Sequence, residues 1–186
     1  MHKGGLTVCN GTKEKIATVL RVQMQERPFH KITVQDLMNQ ANMKRQSFYY
    51  HFQDIYEVLE WEVDRCLFDC LLEDTSIDNE SWILSLLQLI KADRSFYKKT
   101  VLAFGRKRAA QKFYSHIRPH AIRMMQSNHV LSDGPFADEE EITIEFVTYT
   151  FSNYLIDGIL AHNPMDTEEY LKRLAIFCRM AVCSKS

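Results

Sequence analysis

Apolar residues recur every three or four positions along most of this 186-residue chain, the spacing that gathers them on one face of an α-helix. Between Thr12 and Glu26, Ile16, Val19, Leu20 and Met24 form such a stripe, which has to stop before Pro28. Thr33-Val34-Gln35-Asp36 is a Thr-x-x-Asp capping pattern and predicts a second helix to about Gln40. Ala41-Asn42-Met43 then breaks the pattern, and Asn is one of the few residues that tolerates the left-handed backbone of a sharp turn. A third short helix is expected from Lys44 to His51, with Phe48 and Phe52 four apart on one side. Asp54-Ile55-Tyr56-Glu57 repeats the cap and opens a longer helix to about Glu73, its stripe being Leu59, Val63, Cys66, Leu67 and Cys70.

The remainder continues in the same period. Segments 80–92, 95–103 and 106–127 read as helices, the first with Trp82, Leu86, Leu87 and Ile90 inward. Ser132-Asp133-Gly134-Pro135 is the clearest break. An acidic start at Asp138 to Glu141 opens a helix that ends at Asn163-Pro164, and a last helix runs from Asp166 to about Val182. The expected architecture is all-α, with about nine helices. Only 6 Gly and 4 Pro are present, too few for a protein of hairpins.

Composition narrows the setting. The chain is 46% hydrophobic and 25% charged, the balance of a globular protein. It has no run of about 18 apolar residues that would cross a membrane. Met1-His2-Lys3-Gly4-Gly5-Leu6 lacks the apolar centre of a secretion signal, so a cytoplasmic protein is expected. Its five cysteines, at 9, 66, 70, 178 and 183, form no disulfide framework. Charge is unevenly placed: residues 1–52 hold eight Lys/Arg against three acids, a net of +5. Residues 53–186 hold fifteen against twenty-one, a net of −6. A basic end of this kind suits a polyanion.

The densest chemistry lies in residues 33–52, TVQDLMNQANMKRQSFYYHF. Two short helices joined by a tight turn make a helix-turn-helix, whose second helix can enter the DNA major groove. Val34, Leu37, Met38, Ala41, Met43, Phe48 and Phe52 form the expected buried set. Lys44, Arg45, Gln46, Ser47, Tyr49, Tyr50 and His51 remain outside. Arg and Gln carry the paired groups that match guanine and adenine edges, while Lys, Ser, Tyr and His donate to phosphates.

Thr33-Val34, Ala41-Asn42-Met43 and Tyr49-Tyr50-His51-Phe52 together resemble the DNA-binding domain of TetR-family transcriptional regulators. The run RQSFYYHFQDIYEVLEW (45–61) most resembles the branch of low-GC Gram-positive bacteria that includes the dihydroxyacetone-kinase activators. The resemblance implies a helix-turn-helix DNA-binding domain over 1–53 and a helical effector-binding and dimerisation domain over 54–186. It implies phosphate contacts from Thr33, Gln35, Lys44, Tyr49 and His51, and base contacts from Arg45, Gln46, Ser47 and Tyr50. Three positions depart from the family pattern: Asn42 replaces the turn glycine, Lys44 a small capping residue and Ile55 a phosphate-binding lysine. Lys44 gives up an N-cap worth about 1 kcal/mol and opposes the helix dipole, a cost that a phosphate contact would offset.

In the second domain, Trp82, Tyr97, Phe104, Phe113, His116 and Met124 are the candidate lining of a ligand pocket. The segment 142–160 is apolar almost all round, as a helix buried on more than one side must be. With the last helix it resembles the family's four-helix dimer interface, to which Phe151, Leu155, Ile159, Leu174 and Phe177 would contribute. His116 and His120 have helical metal-pair spacing and could join Cys66 or His162 in a zinc site, but two ligands from one helix do not make one, and Cys66 and Cys70 read as small hydrophobes. No phosphate loop, Ser/His/Asp set or paired-carboxylate motif occurs, so neither an enzyme nor a cofactor or metal is expected. The expected function is a homodimeric repressor on a palindromic double-stranded operator, released by a small-molecule or protein effector. The alternative is a coactivator-type interaction protein whose helical body docks a second protein.

Overall fold

A computed structural model describes residues 11–69, 71, 79–127, 140–161 and 169. Among them every regular element is helical. The chain divides into two compact units, Met1–Asp69 and Cys70–Ser186. The fourth helix thus belongs with the first three, whereas the family resemblance places the boundary at 53/54.

In the first unit, α1 spans Thr12–Glu26 and buries Ile16, Ala17, Leu20, Gln23 and Met24. Arg27, just before Pro28, is extended and ends the helix. After a 3₁₀ turn at Phe29–Lys31, α2 occupies Val34–Gln40. The predicted cap is reciprocal: Thr33 Oγ1 accepts from the Asp36 amide at 3.1 Å, and the Asp36 carboxylate accepts from the Thr33 amide at 2.9 Å. Hydrogen bonds to the carboxylate from the Thr33 hydroxyl and then the Thr33 amide, with Arg27 nearby, hold the Asp36 carboxyl below its ordinary range. Helix α2 closes with Asn42 at φ 52°. Met43 N–H then reaches the Met38 carbonyl at 2.9 Å and Asn42 N–H the Asn39 carbonyl at 3.1 Å, the paired bonds of a left-handed C-terminal cap.

Helix α3 is Arg45–His51, and α4 is Ile55–Val63, capped by Asp54 accepting from the Glu57 amide at 2.9 Å. The helix predicted to run to Glu73 widens after Val63 into a π-helical stretch, Asp64–Asp69. Leu37, Met38, Ala41, Phe48, Phe52, Val58 and Leu59 join the α1 stripe as the core. Val34 and Met43, expected inside, are only half-buried, Val34 being the first residue of α2 and Met43 lying in the turn that follows it.

The described part of the second unit holds α5 (Asn79–Ala92), α6 (Arg94–Phe104), α7 (Arg106–Ser127) and α8 (Glu140–Leu160). Asp93 caps α6, and Gly105, at φ 76°, supplies the turn into α7. Helices α7 and α8 share the most extensive contact of this unit. Arg106 pairs with Asp157 and Arg118 with Glu141, which sets the two helices antiparallel. Arg94 donates to the carbonyls of Gly158 and Ala161, closing the C-terminal end of α8. The core here is Trp82, Leu86, Leu87 and Ile90 from α5, with Phe96, Val101, Phe113, Ile117, Ile144, Phe151, Leu155 and Ile159 from the other three.

Candidate nucleic-acid interface

Phe48 is wholly buried and Phe52 3% exposed, so the opposite side of α3 must face water. Lys44, Arg45, Gln46, Tyr49 and Tyr50 are exposed there, while Ser47 and His51 are half-buried. Tyr50 is 85% exposed and packs edge-on against the His51 ring at 4.9 Å. An aromatic side chain left that bare gains little within its own chain. Arg45 Nη2 donates to Tyr49 Oη at 2.9 Å, and its guanidinium lies 5.5 Å from the ring centroid. Lys44 begins the helix without a side-chain cap, as its chemistry requires.

On α2, Gln35 is exposed and donates to Asn39 Oδ1 at 2.7 Å. Thr33 is exposed as well, but its hydroxyl donates to Asp36 Oδ2 at 2.7 Å. That proton, expected on a phosphate, is engaged within the cap instead. The structure thus brings all nine expected DNA-facing residues onto two consecutive helices.

Two buried polar residues behind this surface were not anticipated. Gln23, 3% exposed, donates to Gln40 Oε1 at 2.7 Å and accepts from Arg27 Nη2 at 2.5 Å. Arg27 also lies 3.4 Å from the Asp36 carboxylate, so one polar chain runs from α1 to both ends of α2. Glu62, on α4, is 1% exposed. Both fall on the apolar stripes, Gln23 three residues after Leu20 and Glu62 three after Leu59. That placement was the available signal.

The second unit departs further from expectation. Phe151, Leu155 and Ile159 are 6%, 0% and 0% exposed within a single chain, so they have no surface left for a partner. The exposed apolar residues of α8 are Ile142, Phe146 and Tyr149, at 60–64%. Leu174 and Phe177 lie outside the described residues, as does the Met124 side chain. Trp82, Tyr97 and Phe113 are buried, and Phe104 and His116 half-buried. Trp82 stacks on His120 with centroids 3.7 Å apart. Burial, with Arg123 adjacent, pushes the His120 imidazole down to about 4. Cys66 is half-buried, and burial beside Glu62 pushes its thiol up to about 11. It therefore stays protonated at neutral pH and is a poor nucleophile. Among the described residues no three His, Cys, Asp or Glu converge on a metal position.

Residues 16–60 match the family model described as bacterial regulatory proteins, tetR family. Residues 78–179, more than half of the chain, match the model described as transcriptional regulator C-terminal region.

The chain belongs to the TetR family.

It is a transcriptional regulator with a helix-turn-helix at its N-terminal end. A curated relative from Lactococcus lactis subsp. lactis (strain IL1403), the HTH-type dhaKLM operon transcriptional activator DhaS, is 34% identical over 91 residues. That match takes in 47% of this chain, which spans about half (48%) of the relative's length. Among solved structures, the dihydroxyacetone kinase operon activator DhaS superposes with a TM-score of 0.72 at 20% identity, covering 94% of this chain and 98% of its own. At that identity the likeness is one of fold. No described helix of this TetR-family chain is long and apolar enough to cross a membrane.

Proposed function

We propose that this TetR-family chain binds a palindromic operator as a homodimer, with α3 of each copy in the major groove. The observation that carries this reading is the division of α3 itself, with Phe48 and Phe52 buried and Arg45, Gln46, Tyr49 and Tyr50 bare. Arg45 and Gln46 read bases, while Lys44, Tyr49 and His51 hold phosphates. Two such helices have to meet successive grooves about 34–36 Å apart. An effector held in residues 70–186 then regulates binding by changing their separation. Trp82 Nε1 and Thr100 Oγ1 support a small polar effector, since both are buried without a hydrogen-bond partner among the described residues.

The direction of regulation is the one point where the relatives favour a second reading over repression. Both matched proteins carry the name activator of a dihydroxyacetone kinase operon. We therefore propose activation, on an operon of that type, as the outcome to test against repression. Transcription from the adjacent promoter, measured with and without the chain, separates the two.

Binding itself is tested with Arg45→Ala and Gln46→Ala. Each is expected to lose about 1–3 kcal/mol of operator discrimination while the protein stays folded. Full affinity and unchanged base preference in both variants would overturn the assignment of α3.

A further inference from the structure

We infer that Tyr49 is a positioning residue for base recognition, holding the Arg45 guanidinium in its reading position before DNA arrives. The inference rests on α3 being the reading helix. Residues 45 and 49 stand one helical turn apart, where side chains meet. Arg45 Nη2 donates to Tyr49 Oη at 2.9 Å, and the guanidinium carbon is 5.5 Å from the ring centroid. The Tyr49 ring is itself fixed from below. It meets Phe48 edge-on at 5.4 Å and 81°, and Phe48 is wholly buried in the core of the first unit. Orientation thus passes from core to ring and from ring to guanidinium.

The chemistry of both groups permits this without sacrificing their DNA contacts. A guanidinium has five N–H donors, and with one engaged by Tyr49 a fork remains for the O6 and N7 of guanine. A tyrosine hydroxyl that accepts from arginine keeps its own proton for a phosphate. A long side chain ordered beforehand loses less freedom on binding than one ordered by the DNA. Tyr49 therefore carries two roles, a phosphate contact that ignores sequence and a hold on Arg45 that does not. The neighbouring tyrosine lacks the second role, since Tyr50 is 85% exposed and its ring packs on His51 instead.

The two roles separate experimentally. The full chain is used to select a consensus from a random double-stranded DNA library. Wild type, Arg45→Ala, Tyr49→Phe and Tyr49→Leu are then titrated against that consensus and each single base-pair change in it. Arg45→Ala identifies the base pair it reads. Tyr49→Phe, which keeps the ring, and Tyr49→Leu, which removes it, are expected to lower preference at that same base pair, the latter by about tenfold. Preference at other positions stays as in wild type. If both tyrosine variants weaken the consensus and every changed site by one common factor, Tyr49 is a phosphate contact alone and the inference fails. It also fails if preference is lost at base pairs that Arg45→Ala leaves intact. A wild-type chain that selects no consensus would instead remove the reading-helix assignment itself.

Discussion

Arg21 on α1 donates to Glu62 on α4 at 3.0 Å, and the Glu62 side chain is 2% exposed. The same carboxylate accepts from Arg65 at 2.9 and 3.2 Å and from the Cys66 thiol at 3.1 Å. A buried carboxylate is tolerated only when its oxygens are this fully paired. The cluster clamps the first helix of the unit onto the fourth, with the π-helical stretch beginning two residues beyond.

Glu62→Ala is expected to destabilise the first unit by about 3 kcal/mol, because it leaves two arginines facing a cavity. Glu62→Gln keeps an accepting oxygen and costs less. Arg21→Ala costs less again, since Arg65 still holds the carboxylate. Urea midpoints of the three variants check this order. A Glu62→Ala midpoint equal to wild type would show that the clamp contributes nothing.

On α8 the burial pattern yields a discriminating pair of substitutions. Glutamate at Ile142 or Tyr149, each 64% exposed, is expected to leave the fold intact and weaken self-association. Glutamate at Leu155, which is 0% exposed, is expected to unfold the second unit by burying an unpaired charge. Sedimentation at micromolar concentration, with circular dichroism alongside, distinguishes the outcomes. Unchanged dimerisation of Ile142→Glu and Tyr149→Glu would place the contact elsewhere.

The Trp82–His120 stack carries a pH dependence. The imidazole is pushed from 6.5 down to about 4, chiefly by burial. The unfolded chain therefore binds a proton at higher pH than the folded one. Stability is full above about pH 6.5 and falls as the pH is lowered toward 4. Since His120 is only half-buried, solvent screening limits the loss to about 1–2 kcal/mol. Thermal melts between pH 7 and 4 should show a shallower decline in His120→Phe than in wild type. Parallel curves would mean that the stack does not oppose protonation.

Much of the first unit was readable because its signals are local. The Thr33–Asp36 cap, the left-handed turn at Asn42 and the burial of Phe48 and Phe52 each depend on residues a few positions apart. Gln23 and Glu62 were missed although they fall on the apolar stripes, because the cross-helix partners Gln40 and Arg21 stand 17 and 41 residues away in sequence. Periodicity turns them inward but does not say what would pair a polar group there. Helix α8 failed for the opposite reason. When both faces are apolar, the pattern cannot say which one packs within the chain, and the side assigned to a partner proved to be the core.

Thr148 and Ser152 lie buried on that helix, and each hydroxyl donates to a carbonyl one turn back, Ile144 and Thr148 respectively, at 2.7 Å. Neither needs an acceptor on α7. Side-chain shape and the ion pairs Arg106–Asp157 and Arg118–Glu141, which sit in water and weaken with salt, contribute to the alignment of the two helices. A joint built this way can shear by a small step without stripping a hydroxyl of its bond. In the regulation proposed above, Thr148 and Ser152 would be polar groups carried along with α8 rather than pegs fixed in its neighbour.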